Sequence, residues 1–294
     1  MCGRYTSTSA TADLARIFEV ENDDIRTEQL PLRYNVAPTQ DVYAVAVRRP
    51  KEEGETPRRL LGAYRWGLIP YWAKDPSVGN RMINARAEGI EDKSAYKRPL
   101  LRHRCIIPAD AFYEWQVLSP TVDDTGKGRG GGGRGERGGR AANGRRTNGG
   151  RAANKLPYVI RHRDGSPLAF AGLWEFWRPP DDPDADPIRS CVIITTEANE
   201  LVAPIHDRMP VVLPPSAWER WLDPANQDLA AIKAMLVPSP ATDLEAYPVS
   251  NRVNDVANEG PELLEALPPP PEGSELQLAP EVYQLRLAED LEAG

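Results

Sequence analysis

Seven short runs of apolar and β-branched residues set the strongest limit on how this chain folds. They cover residues 42–47, 60–68, 105–107, 158–161, 168–174, 190–195 and 209–213, each short enough for a strand and too short for a typical helix. Helical spacing intervenes only three times. Residues 11–20 put Leu14, Ile17 and Phe18 on one face, with Ser9 or Thr11 as the cap. Ser216-Ala217-Trp218-Glu219 reads as a capping box ahead of Trp221 and Leu222, and residues 228–236 align Leu229, Ile232 and Met235. A doubly wound parallel sheet needs regular strand–helix alternation, which is missing. The pattern predicts an α+β fold: one compact domain on curved, mostly antiparallel, barrel-like sheet with flanking helices.

Two segments fall outside that domain. Residues 121–155 carry nine Lys/Arg against three acidic residues and almost nothing to bury. They are expected to be a disordered Gly/Arg-rich insertion in a loop between two strands. From residue 268 to 294 the chain turns Pro-rich and then acidic, which predicts a peripheral tail. The domain itself is predicted over 2–253. The insertion is +6, so the rest of the −7 chain is −13, and any attraction to nucleic acid is expected to be local. Three cysteines form no disulfide framework. No apolar run approaches the ~20 residues of a membrane span and no signal peptide opens the chain. The expected setting is cytoplasmic, away from membranes, with no obligate protein partner evident.

Met1-Cys2-Gly3-Arg4 opens the chain. A small second residue favours removal of Met1, after which Cys2 would carry a thiol and a free α-amine with ordinary pKa values of about 8.5 and about 8. Such a pair can close on one aldehyde carbon as a thiazolidine, or the thiol can attack an acyl carbon as N-terminal-nucleophile hydrolases do. Taken alone, Cys2 is equally an accidental residue of a frayed end. Four further clusters combine polar groups with turn residues: 33–40 (RYNVAPTQ), an extended loop; 65–72 (RWGLIPYW) followed by 84–88 (NARAE); 108–115 (PADAFYEW); and 205–210 (IHDRMP). Singly, each has a structural explanation.

Together, and in this order, the clusters resemble the SRAP family, named for SOS-response-associated peptidases and understood as abasic-site sensors. The resemblance spans about Cys2 to Val253, interrupted by the insertion. It implies a compact α+β domain with a basic DNA groove, no cofactor, and single-stranded DNA containing abasic sites as the partner, with nucleoid association when bound. It also implies covalent capture of the abasic aldehyde by Cys2. Glu114 would orient the amine and relay its proton, His206 would protonate the sugar ring oxygen, and Asn84 would bond near the sugar and the terminus. Arg4 and Arg86 match phosphate-holding arginines. Pro38 and Trp115 match residues that fill the gap of the missing base, Trp66 would line the groove, and Thr195 and Thr196 fall where the family meets backbone phosphate. Asp207 and Arg208 would orient the His206 loop.

The remaining candidates have plain readings. Cys105 and Cys191 sit within apolar runs and read as buried. Trp174, Trp218 and Trp221 read as core. His103 and His162 have no metal-ligand spacing with any cysteine, so no metal is expected. Gly89 stands where the family commonly has threonine. Two alternatives to covalent capture stay open: a cysteine peptidase acting through Cys2, and a non-catalytic nucleic-acid-binding module acting through the Gly/Arg insertion.

Overall fold

A computed structural model of the chain describes residues 2–21, 24–27, 29–48, 57–118, 155–182 and 184–268. The expectations for Met1, for the insertion up to residue 154 and for the tail beyond 268 lie outside these residues. Five strands, β3 (Asp41–Arg48), β4 (Arg58–Trp66), β6 (Arg104–Ala109), β9 (Leu168–Trp177) and β10 (Ile188–Glu197), pair β10-β4-β3-β6-β9 and then β9 back to β10. The ring is closed, which removes the exposed edges an open sheet would leave. Among the strands of the described residues, β10 pairs in parallel with β4 and with β5 (Asn84–Arg86), and the other ladders are antiparallel.

The alternation along these strands separates two cores. Val42, Ala44, Tyr64, Trp66, Cys105, Ile107, Phe170, Cys191 and Ile193 belong to one cluster, while their neighbours Tyr43, Val45, Leu61, Ile106, Ala171, Leu173, Val192 and Ile194 belong to another. The second set is covered by helices α1 (Thr11–Ile17), α2 (Ser94–Arg102), α3 (Pro215–Leu222) and α4 (Leu229–Lys233), through Leu14, Leu100, Trp221 and Ile232. Strands buried on both faces read as continuous apolar runs, and these are the ones the sequence displayed. Gly172 of β9 is required by close approach: a Cβ there would lie 2.9 Å from both Cys105 Sγ and Ile107 Cδ1.

A second, antiparallel sheet runs β12-β8-β7-β1-β2, from β1 (Arg4–Ser7), β2 (Arg33–Val36), β7 (Ala111–Val117), β8 (Lys155–His162) and β12 (Leu244–Pro248). One face, through Tyr5, Phe112, Tyr158 and Ile160, joins the first core cluster; the other packs Tyr113, Val159 and Tyr247 against Val253 and Leu263. The packed body therefore runs past residue 253. Leu263 is buried, Val249 bridges Ala266, and Leu267 N–H donates to the Pro248 carbonyl.

Three local expectations change. The 33–40 segment, read as a loop, supplies β2. Helix α3 begins at Pro215 with no side-chain cap, because proline fills the first helical position and places Ser216 inside the helix. Neither Ser9 nor Thr11 caps α1; Thr8 and Ser9 instead bind Asp110 through backbone and hydroxyl groups, pinning the end of β1. No helix among the described residues is long and apolar enough to cross a membrane.

Candidate active site

The site forms where the second sheet meets the barrel. Cys2 leads into β1, which lies between β2 and β7, with Arg4 opposite Tyr113 and Tyr5 opposite Phe112. Continuing that register brings Glu114 alongside the start of the chain. Alternation along β7 turns Phe112 and Glu114 to one face and Tyr113 and Trp115 to the other. From the barrel, β10 carries β5 on one edge, with Asn84 opposite Ile193. Beyond β9, β10 pairs with β11 (Arg208–Pro210), and His206 occupies the turn just before β11. Thus Cys2, Asn84, Glu114 and His206 converge from four separate segments.

The contacts are specific. Asn84 Nδ2 donates to the Cys2 carbonyl at 2.7 Å, while Asn84 Oδ1 is buried with no hydrogen-bond partner among the described residues. His206 Nε2 lies 4.0 Å from Glu114 Oε2. Arg208 N–H donates to His206 Nδ1 at 3.0 Å, and Asp207 Oδ1 is 2.9 Å from the same nitrogen. Arg86 and Asp207 are exposed at the rim and the His206 side chain is 28% exposed. Cys2 is fully buried and Glu114 is 2% exposed.

Burial dominates the electrostatics. It raises the Glu114 carboxyl to about 7, partly offset by the positive charge of the chain terminus. Burial first, then the Glu114 carboxylate, push the Cys2 thiol well above its ordinary range, so the resting sulfur is S–H. His206 is made less basic by partial burial and then by the terminal charge. Beside one another stand a nucleophile, a carboxyl that exchanges protons near neutrality, and an imidazole of lowered basicity.

The expected DNA contacts divide. Arg86 is exposed beside Asn84. Pro38 is half-buried in the turn between β2 and β3, where Thr39 takes a φ of 76°. Trp115 is half-buried and its indole donates to Asn254 Oδ1 at 2.7 Å. Trp66, expected to line the groove, is fully buried and has no surface to offer a strand. Its indole donates to the Ile83 carbonyl, and its backbone exchanges hydrogen bonds with Thr39 and Gln40. It therefore supports both the Pro38 turn and the entry to Asn84 from inside the barrel. Thr195 and Thr196 are likewise buried. The Thr195 carbonyl accepts from Ala87 N–H and Arg208 Nη2, which makes it a brace, not a phosphate contact. The Arg4 guanidinium is held by Asn35 Oδ1 at 2.6 Å and by the Val253 and Asn254 carbonyls. It fixes the turn that carries Asn254 under Trp115.

Sequence reasoning passed over Asn35, Asn254 and Glu88. Asn35 is fully buried and donates to three carbonyls between Val253 and Asn258. Glu88 accepts both guanidinium nitrogens of Arg208 at 2.8 Å. Asn35 and Glu88 lie inside the motifs already singled out, which was the available signal. No group of three or more His, Cys, Asp or Glu that could hold a metal occurs among the described residues.

Comparison with known proteins places this geometry. The model of the family described as "SOS response associated peptidase (SRAP)" matches residues 1–129 and 146–256. The chain is similar to the abasic site processing protein YoqW of Bacillus subtilis, at 39% identity over 90% of this chain and 100% of that one. It is also similar to the abasic site processing protein HMCES of Gallus gallus, at 33% identity over 90% of this chain and 77% of that one. A crystal structure of a protein from Bacteroides thetaiotaomicron shares the fold with a TM-score of 0.67 at 22% identity, covering 90% of this chain and all of that one.

Proposed function

The chain belongs to the SRAP family, and on that premise we propose that it captures abasic sites in single-stranded DNA as a covalent thiazolidine through Cys2. The supporting observation is the convergence of Cys2, Asn84, Glu114 and His206, with the Asn84 amide on the Cys2 carbonyl and the Glu114 carboxyl held near neutrality. Once Met1 is removed, the α-amine belongs to Cys2. Glu114 takes a proton from the ammonium, and His206 supplies one to the sugar ring oxygen as the closed sugar opens. The amine then adds to the C1′ aldehyde and water leaves, giving an imine. The sulfur adds to the same carbon as its proton passes to nitrogen. One water is lost overall and a five-membered ring remains.

Asn84 fits the same reading. Its Oδ1 is a buried acceptor without a donor among the described residues, a costly arrangement that a sugar hydroxyl would relieve. Intact mass before and after incubation with an abasic single-stranded oligonucleotide tests the proposal. The expected product is an SDS-resistant one-to-one adduct of a chain lacking Met1, absent for Cys2→Ala. If the Met1-free wild type forms no adduct, the proposal falls. Cys2-dependent turnover of a peptide would support the peptidase alternative instead.

A further inference from the structure

Two segments that deliver reacting groups to the Cys2 site are tied to each other outside it. Glu88 follows Asn84 by four residues. Arg208 follows His206 by two. The two side chains meet in a bidentate pair, both contacts 2.8 Å, and Arg208 Nη2 also donates to the Thr195 carbonyl at 2.7 Å. That carbonyl receives Ala87 N–H as well, so one oxygen of β10 anchors both segments. The Arg208 side chain is 12% exposed and the Glu88 side chain 56%.

We propose that Glu88 is a positioning residue, which sets the His206 imidazole through Arg208; this rests on the covalent-capture reading above. The link is the Arg208 backbone. Its N–H donates to His206 Nδ1, and with Nδ1 as acceptor the proton of the neutral ring sits on Nε2, the nitrogen nearest Glu114. The Asp207 carboxylate, 2.9 Å from Nδ1 and 83% exposed, favours a proton on Nδ1 instead. Two neighbours of one nitrogen thus demand opposite tautomers. The amide prevails while residue 208 is held in place: its backbone is held opposite Glu197 in the β10–β11 ladder, and the fork between its guanidinium and Glu88 fixes the side-chain end. Without the fork, Arg208 keeps the Thr195 carbonyl and hydroxyl, and the direct side-chain link between the turn at 206–208 and the Asn84 segment is lost.

The opposing possibility is that Glu88 merely neutralises Arg208 charge near the rim. The two differ in sign, because removing an exposed carboxylate from a DNA-facing surface strengthens attraction to phosphate. The test is single-turnover crosslinking by wild type, Glu88→Ala, Glu88→Gln and Glu88→Asp with saturating abasic single-stranded DNA across pH 5.5–8.5, the pH window chosen to bracket the imidazole range. Binding to the same strand without an abasic site and thermal unfolding are measured alongside. A positioning role predicts that Glu88→Ala slows crosslinking about tenfold while affinity for undamaged strand is unchanged or tighter. It also predicts a displaced alkaline limb of the pH profile, the limb set by the His206 proton donor, and recovery of most of the rate in Glu88→Asp. Glu88→Gln, which keeps one acceptor at the same reach, should fall between. A rate that stays level or rises with affinity in Glu88→Ala overturns the inference. If the alanine variant melts early, the same comparison is made with Glu88→Gln. Absence of any Cys2-dependent adduct in the wild type defeats the parent reading instead, so the two failures are distinguishable.

Discussion

Among the described residues, two buried carboxylates, Glu175 and Glu114, each face a histidine, and the two pairs differ in character. Glu175, on β9, is 2% exposed; His103 Nδ1 lies 3.2 Å from its Oε1 and Arg98 Nη1 3.7 Å from its Oε2. The His103 ring stacks on Trp174 with centroids 4.3 Å apart. Glu114, on β7, is equally buried, but its histidine stands 4.0 Å away, and beside it is the Cys2 thiol. In the first pair the imidazole is in direct contact, a guanidinium assists, and the ring is locked by stacking. In the second, the imidazole is held at its far nitrogen by a backbone amide and is 28% exposed. A buried carboxylate in contact with a stacked imidazole and a guanidinium is an element of architecture. One set 4.0 Å from a partly exposed imidazole, with its pKa raised to about 7, is poised to exchange protons.

That contrast can be broken by substitution. Cys2→Ala should abolish the adduct entirely, while His103→Ala should leave it intact; an adduct that survives Cys2→Ala in a denaturing gel would remove the chemistry from the second pair. Glu114→Gln should slow crosslinking by about a hundredfold, the scale of losing one positioned acid–base group. The same change should stabilise the fold. Because the folded Glu114 pKa lies above its unfolded value, its neutral form is favoured in the fold below about pH 4.5, and that advantage is lost as pH rises through about 7. Relative to wild type, the glutamine variant should therefore gain stability between those limits, reaching about 3 kcal/mol above pH 7 by denaturant titration.

Glu175→Gln should do the opposite, costing about 1–3 kcal/mol and leaving the crosslinking rate unchanged, since it removes the charge that His103 and Arg98 face. His206→Gln should slow capture by about tenfold and flatten the alkaline side of the rate–pH profile, since a proton donor is lost as pH rises through its pKa. Arg98→Ala should be the mildest. The residue is half-exposed and 3.7 Å from its partner, so a loss of under about 1 kcal/mol in stability is expected.

The same two regions show what a sequence can display. The strands of the barrel stood out because both of their faces are covered, which forces continuous apolar runs such as 42–47 and 190–195. The second sheet showed only β8, as the run 158–161. Its β1 is four residues, Arg-Tyr-Thr-Ser, and β7 carries Glu114 in its middle; polar groups on a short strand look like loop until the neighbouring strands are known. Helix α2 was hidden by Pro99 inside it. At the site, Cys2, Asn84, Glu114 and His206 were legible because each lies in a recognisable motif, and all four are brought together. Trp66 and Thr195 were misplaced, from groove to interior. A motif marks that a residue matters without marking which way its side chain points, and an indole can serve a site by holding a turn from beneath. The bond from Arg4 to Asn35 and the tie from Glu88 to Arg208 join residues 31 and 120 positions apart, a relation no local pattern encodes.

The central position of β1 has a mechanical consequence. The strand begins two residues after Cys2 and is hydrogen-bonded on both edges, to β2 and to β7, with Thr8 and Ser9 fastened to Asp110 at its far end. A nucleic-acid strand joined to Cys2 and pulled by a moving polymerase or helicase would draw on β1 along its length. The ladders on either side would then carry the force together in shear, with no single bond first in line as in unzipping. The tether would part from the protein only when a whole sheet yields. If the adduct forms, pulling single adducts by their DNA should show rupture forces typical of sheared, not peeled, strands.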